Sequence, residues 1–150
     1  MDQHRSNSVA TATSWPHRDA VASPTHELGV LMIGFVNAIA LDGPDPVGLA
    51  QFYQQVLGGE LDTSDPEWVT LDCGLGKAKL TFQPSTSYVP PKFPDPNGSQ
   101  QFHLDIQVDD FESAEPQILD LGARKVEGQE HPGFRVYLDP VGHPFCLVLE

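Results

Sequence analysis

One order of elements is written twice in this sequence. An apolar run from Phe35 to Leu41 reads as a strand and leads through Asp42-Gly-Pro-Asp-Pro46 into a helix. Asp45 suits the N-cap, Pro46 the first helical position, and Gly58-Gly59 the stop. Leu49, Phe52, Tyr53, Val56 and Leu57 recur at helical spacing on one face. The same grammar returns with Phe102 to Val108 as an alternating strand, Asp109-Asp110 as the helix start, Phe111, Ala114, Ile118 and Leu121 as the apolar face, and Gly122 as the stop. Thirteen positions separate Asp45 from Gly58, and thirteen separate Asp109 from Gly122. Pro116 falls inside the second helix, where a proline costs about 3 kcal/mol, so a kink or a short first turn is expected there.

Each helix is followed by three short alternating runs. They are 59–63, 67–72 and 78–83 in the first half, and 124–126, 134–138 and 145–149 in the second. The fold class is therefore α+β, with two βαβββ repeats. Repeat one spans 32–84 and repeat two 101–150. The segment 85–100 between them carries Pro90, Pro91, Pro94, Pro96 and Gly98, and reads as a linker that cannot enter a sheet interior. A βαβββ unit covers one sheet face with its helix and leaves the other bare. Two units forming a curved mixed sheet would line a cleft, the natural place for a small ligand. Residues 1–31, rich in Ser, Thr, Ala and His without apolar period, are expected to form a disordered tail ahead of a domain starting at Met32. The apolar stretch from Leu28 to Leu41 is too short to cross a bilayer.

Charge restricts the partners. Eight Lys and Arg face 21 Asp and Glu, a formal net charge of −13. Such a surface repels phosphate backbones and anionic headgroups, so neither nucleic acid nor membrane is expected as a partner. Cys73 and Cys146 match no zinc or redox motif, and so sparse a pair fits a reducing, cytoplasmic setting.

Four fragments in order, Asp45-Pro46 to Gly58, Phe102-His-Leu-Asp105 to Asp110, Leu121-Gly-Ala123, and Asp139-Pro-x-Gly142-x-Pro-Phe-Cys-Leu147, resemble the vicinal-oxygen-chelate superfamily, specifically its small glyoxalase-like domains. The resemblance covers about Met32 to Glu150. It implies the glyoxalase/bleomycin-resistance/dihydroxybiphenyl-dioxygenase fold, a ligand in the sheet cleft, and homodimerisation, because sheets in this superfamily often pair across two chains. It also implies a divalent metal held by side chains from the first and last strands of each repeat, which chelates neighbouring substrate oxygens.

The resemblance leaves that metal set incomplete. The fifth-strand position is His103, seven residues before Asp110, but the matching position before Asp45 is Ala38. The last-strand position is Cys146, softer than the usual carboxylate, and the fourth-strand position is Lys79 or Thr81. Two ligands are fewer than a catalytic zinc site uses, so a metal-free pocket is expected. The alternative is a Zn, Fe, Mn or Ni ion held by His103 and Cys146. The expected ligand-binding residues are His103, Phe82, Phe102, Tyr88, Phe134 and Cys146, with His103 as the catalytic residue if the protein is an enzyme. Asp105 shares a strand face with His103 and would suit orienting its imidazole, although a solvated carboxylate is the simpler reading. Cys146 between apolar neighbours reads first as a buried small hydrophobe. His131 and His143, in or beside turns, are expected to be exposed. The functional expectation is a glyoxalase-like protein binding a small apolar or aromatic metabolite. The alternative is a metal-dependent lyase, isomerase or dioxygenase.

Overall fold

The computed structural model describes residues 34–74, 76–98, 102–129 and 131–149. The expected tail, 1–31, lies outside them. The elements run β1 (Ala38–Gly43), α1 (Pro46–Leu57), β2 (Glu60–Asp62), β3 (Val69–Asp72), β4 (Lys79–Pro84), β5 (Leu104–Gln107), α2 (Phe111–Asp120), β6 (Arg124–Lys125), β7 (Phe134–Leu138) and β8 (Pro144–Val148). This is βαβββ twice. Each repeat keeps its own four-stranded mixed sheet, ordered β1-β4-β3-β2 and β5-β8-β7-β6. The first and fourth strands of each repeat pair in parallel, and the last three form antiparallel meanders. The parallel pair follows from the helix, which carries the chain over the sheet before it returns.

The helix starts follow the sequence grammar with one shift. Asp45 caps α1 by accepting from the Gly48 amide at 3.0 Å, and Pro46 sits in the first turn. The second cap is Asp110, which accepts from the Ser113 amide and hydroxyl at 2.8 and 2.7 Å, so Asp109 lies outside the helix. Each cap contributes about 1 kcal/mol. On this register His103 and Ala38 both stand seven residues before their caps. Helix α2 continues through Pro116, whose side chain faces solvent, and the missing amide bond falls after the first turn. Pro84, the last residue of repeat one, ends β4 opposite Gly43, beyond the β3 pairing that stops at Phe82, so a proline there removes no interior ladder bond.

Side-chain alternation divides each sheet. In repeat one, Val69, Leu71, Leu80 and Phe82 point beneath α1, where Leu49, Ala50, Phe52 and Tyr53 are buried. In repeat two, Ile106, Tyr137, Phe145 and Leu147 share a face with Phe111 and Ile118 of α2. These helix-side residues form one continuous core. Tyr53 stacks on Phe82 at 5.8 Å, and Phe52 meets Phe145 edge-on at 6.1 Å, which joins repeat one to repeat two.

The polar bond that crosses the same boundary is buried. Asp139, fully inaccessible in the turn after β7, accepts from the Tyr53 hydroxyl at 3.1 Å. Its other oxygen accepts from the amides of Val141, Gly142 and His143 at 3.0, 2.7 and 2.9 Å, and the His143 ring nitrogen lies 2.8 Å from the oxygen that Tyr53 engages. A buried carboxylate needs such a set of partners. Burial and the neighbouring Asp139 push the Tyr53 phenol well above its ordinary value, so it donates as a neutral hydroxyl. Gly142 turns this loop at φ 105°, and a side chain there would collide with Pro90 of the linker. Among the described residues no helix is long and apolar enough to cross a membrane.

Candidate functional site

Pairing register decides what faces outward on the second sheet. Asp105 on β5 is opposite Cys146 on β8, and Cys146 is opposite Val136 on β7. Because Leu104 and Ile106 point to the helix side, His103 and Asp105 belong to the outer face, with Cys146 beside them. His103 Nε2 lies 3.5 Å from Asp105 Oδ1, and the donor atoms of His103, Asp105 and Cys146 all lie within 4.8 Å of one another. Cys146 is buried, whereas the Asp105 side chain is 63% exposed, so the group runs from the sheet floor to the solvent. Burial first, then the charge of and a hydrogen bond with Asp105, pushes the Cys146 thiol up to about 11. The thiol is therefore a protonated, weakly nucleophilic group at neutral pH.

The surroundings are apolar. Val136 is buried next to Cys146, and Phe134, two positions earlier on the same face, is partly exposed and stacked on exposed His131 at 4.8 Å. Phe93 of the linker lies against His103 with ring centroids 6.0 Å apart.

The expected site residues separate into three places. His103, Cys146 and Phe134 lie on the outer face of the second sheet, together with Asp105. Phe102 is 78% exposed just before β5. Phe82 is fully buried under α1, because its register with Leu41 turns it to the helix side; it has no exposed surface to offer a ligand. Tyr88 lies at the Asp139 turn, its ring 5.3 Å from that of His143 and its hydroxyl buried without a hydrogen-bond partner among the described residues. Burial, with Asp139 and Asp42 nearby, raises the Tyr88 phenol to about 12. His143, expected to be exposed, is 15% exposed and held by Asp139, since the turn folds its ring back onto the carboxylate. Sequence reasoning missed this Tyr53–Asp139–His143 group, although the Asp-Pro-x-Gly turn containing it was visible.

The superfamily metal is testable against these residues. In repeat one, Ala38 pairs with Lys79 and Ala40 with Thr81. Lys79 is bound to Asp72 at 2.7 Å, and buried Thr81 has its hydroxyl 3.5 Å from the Ile39 carbonyl. A methyl group, an ammonium and a buried hydroxyl do not fit a cation, so a ligand set divided between the repeats is not met here. The donors present belong to repeat two.

A separate groove of about 320 Å3 lies on the helix side, lined by Asp45, Gly48, Phe52, Leu121, Pro140 and Val141 among others. None of His103, Asp105 and Cys146 lines it.

Paired βαβββ units of this topology define the glyoxalase/bleomycin resistance/dioxygenase fold, and solved structures share it. An enzyme of that family from Burkholderia phytofirmans PsJN matches with TM-score 0.59 and 22% identity over 77% of this chain and 98% of its own. TnmS3, an antibiotic binding protein from Streptomyces sp. CB03234, matches with TM-score 0.55 and 17% identity over 80% and 98%. The fosfomycin resistance protein FosX from Mesorhizobium loti matches with TM-score 0.57 and 12% identity over 80% and 94%. No curated protein sequence gives a significant match. The family model of the glyoxalase-like domain matches residues 38–148, and the chain belongs to that family.

Proposed function

We propose that this glyoxalase-like protein binds a small apolar or aromatic metabolite on the outer face of its second sheet, with His103 as the polar anchor. The observation that carries the reading is one imidazole close to both a carboxylate and an aromatic ring: Asp105 at 3.5 Å and the Phe93 ring centroid at 6.0 Å. A few convergent polar groups in an apolar surround are the usual composition of a small-molecule site. Phe134 and Val136 extend that surround along β7. Sequestration needs no more than this. Acid/base chemistry would use His103 to take or return a proton, with Asp105 placed to orient the ring. That neighbours of the same fold include an antibiotic binding protein and a fosfomycin resistance protein makes antibiotics sensible first probes.

A metal-dependent lyase, isomerase or dioxygenase of the divided-site kind would need donors from β1 and β4, where Ala38, Lys79 and Thr81 stand. The homodimer implied by the resemblance belongs to this proposal as well and is read by light scattering of the purified chain.

The test is a ligand screen by thermal shift and saturation-transfer NMR over aromatic acids, quinones and polycyclic antibiotics. Binding that falls at least tenfold in His103→Ala and in Phe134→Ala supports the reading. No binder in the panel, or a binder indifferent to both substitutions, overturns it.

A further inference from the structure

The outer face of the second sheet carries opposite charges at its two edges. Extending the parallel β5–β8 register by one residue sets His103 level with Pro144, which pairs with Leu138, which in turn pairs with Arg124. His103 and Arg124 therefore end one row of the outer face, three strand spacings or about 14 Å apart. The next row starts at Asp105 and continues through Cys146 and Val136. Alternation fixes the direction of Arg124: its neighbour Lys125 turns to the helix side and meets Glu115 of α2 at 3.1 Å.

Arg124 is also a cation without a carboxylate. Of the Lys and Arg among the described residues, Lys79, Lys92, Lys125 and Arg135 each lie within 4.0 Å of an acidic side chain, whereas Lys77 and Arg124 make no ion pair there. Lys77 belongs to the turn before β4, in the other repeat. Arg124 is exposed, and a Cβ on Gly142 would stand 3.7 Å from its guanidinium, so the head group lies beside the β7–β8 turn. The carboxylate of that turn, Asp139, is turned into the core and engaged there. In a chain with 21 acidic residues against 8 basic ones, an arginine left unpaired on this face calls for a partner.

We infer that Arg124 selects the ligand: an aromatic carboxylic acid lying across the strands, its carboxylate on the Arg124 guanidinium and a hydrogen-bond donor at its far end beside His103 and Asp105. Selection by Arg124 rests on the reading that a small molecule occupies this face, and narrows that molecule to one chemical class. The guanidinium fork matches a carboxylate with two parallel N–H donors. The reversed orientation would set the carboxylate against Asp105, so the charges at the two edges fix the direction of the ligand. Between the edges the row is apolar, Leu138 and Pro144. A net charge of −13 works against an anion elsewhere on the surface, which makes Arg124 the determinant of acid binding.

The experiment titrates the full chain with a matched pair: a biphenyl carboxylic acid bearing a para hydroxyl on its far ring, and the uncharged carboxamide of the same compound. Wild-type protein should bind the acid about tenfold tighter than the amide, the difference a charge-assisted pair adds. Arg124→Gln should bring the acid down to the level of the amide and leave the amide unchanged. Lys77→Gln, which removes the same charge away from this face, should keep the preference. Arg124 is exposed on an edge strand, so its variant should fold, and unchanged amide binding shows that it has. Equal binding of acid and amide by wild type, a preference that survives Arg124→Gln, or one lost equally in Lys77→Gln would overturn the role of Arg124, while binding that still depends on His103 would keep the ligand reading. Absence of any His103-dependent binder, in this pair and in the wider screen, would overturn both.

Discussion

Replacing Asp139 with alanine tests how the two repeats are held together. The carboxylate is fully buried and accepts from the Tyr53 hydroxyl, three turn amides and the His143 ring. In the variant the Gly142 amide still has the Asp139 backbone carbonyl, at 3.1 Å. The Tyr53 hydroxyl, on a side chain 1% exposed, is left in the core without this acceptor. An orphaned buried donor costs about 1–3 kcal/mol, and each of the remaining lost bonds about 0.5–1.5 kcal/mol. With three such bonds the sum is roughly 2.5–7.5 kcal/mol, a large part of the about 5–15 kcal/mol by which domains are stable. With a urea slope of about 1–3 kcal/mol per molar, the midpoint should fall by roughly 2 M. Tyr53→Phe alone leaves Asp139 four partners and should cost only about 0.5–1.5 kcal/mol. Combining the two removes the orphaned hydroxyl, so the double variant should be more stable than additivity predicts by about 1 kcal/mol. A loss below about 1 kcal/mol in Asp139→Ala, or strict additivity, would refute this account of the Tyr53–Asp139 link.

Other expectations follow from the same packing and electrostatics. A hydrogen bond from Tyr137, with Lys125 and Arg135 beside it, holds the Glu115 carboxyl below its ordinary 4.5. A lowered folded value means that its stabilisation is present above about pH 4.5 and is lost as pH falls through the folded value. The stability gap between wild type and Glu115→Gln in urea melts should therefore be widest near neutrality and close in acid; a gap unchanged into strong acid would contradict it. Phe82→Ala should cost about 3–5 kcal/mol by denaturant melt, because its ring is wholly buried against Tyr53, and a loss under about 1 kcal/mol would place Phe82 outside the core. Gly142→Ala forces a side chain into a positive-φ position and against Pro90, so it should lower stability by about 1–3 kcal/mol and make the 85–98 linker more open to limited proteolysis. Unchanged cleavage there would mean that Pro90 does not fasten the linker.

Periodicity made the architecture legible. Caps, apolar faces and stop glycines predict both helices to within a residue or two, and the doubled order predicts βαβββ twice. Sequence could not choose faces, since a one-step register error reverses every side chain on a strand. That is why Phe82 and Phe134 looked alike, although one stacks on Tyr53 and the other borders the outer face. His103 and Cys146 stood out by chemistry, but Asp105 became their neighbour only through β5–β8 pairing, a contact between positions 41 residues apart. The burial of His143 was hidden for the same reason: it depends on a turn folding back onto Asp139, with Tyr88 from the linker packed on its ring.

The most direct test of the central claim is backbone amide chemical-shift mapping with the tightest compound from the screen. The account predicts shifts concentrated on 102–107, 134–136 and 144–148, with the His103 ring signals moving alongside them. Shifts confined to the helix-side groove, at Asp45, Gly48, Gln51 and Val141, would contradict it and place the binding site on the opposite side of the sheet.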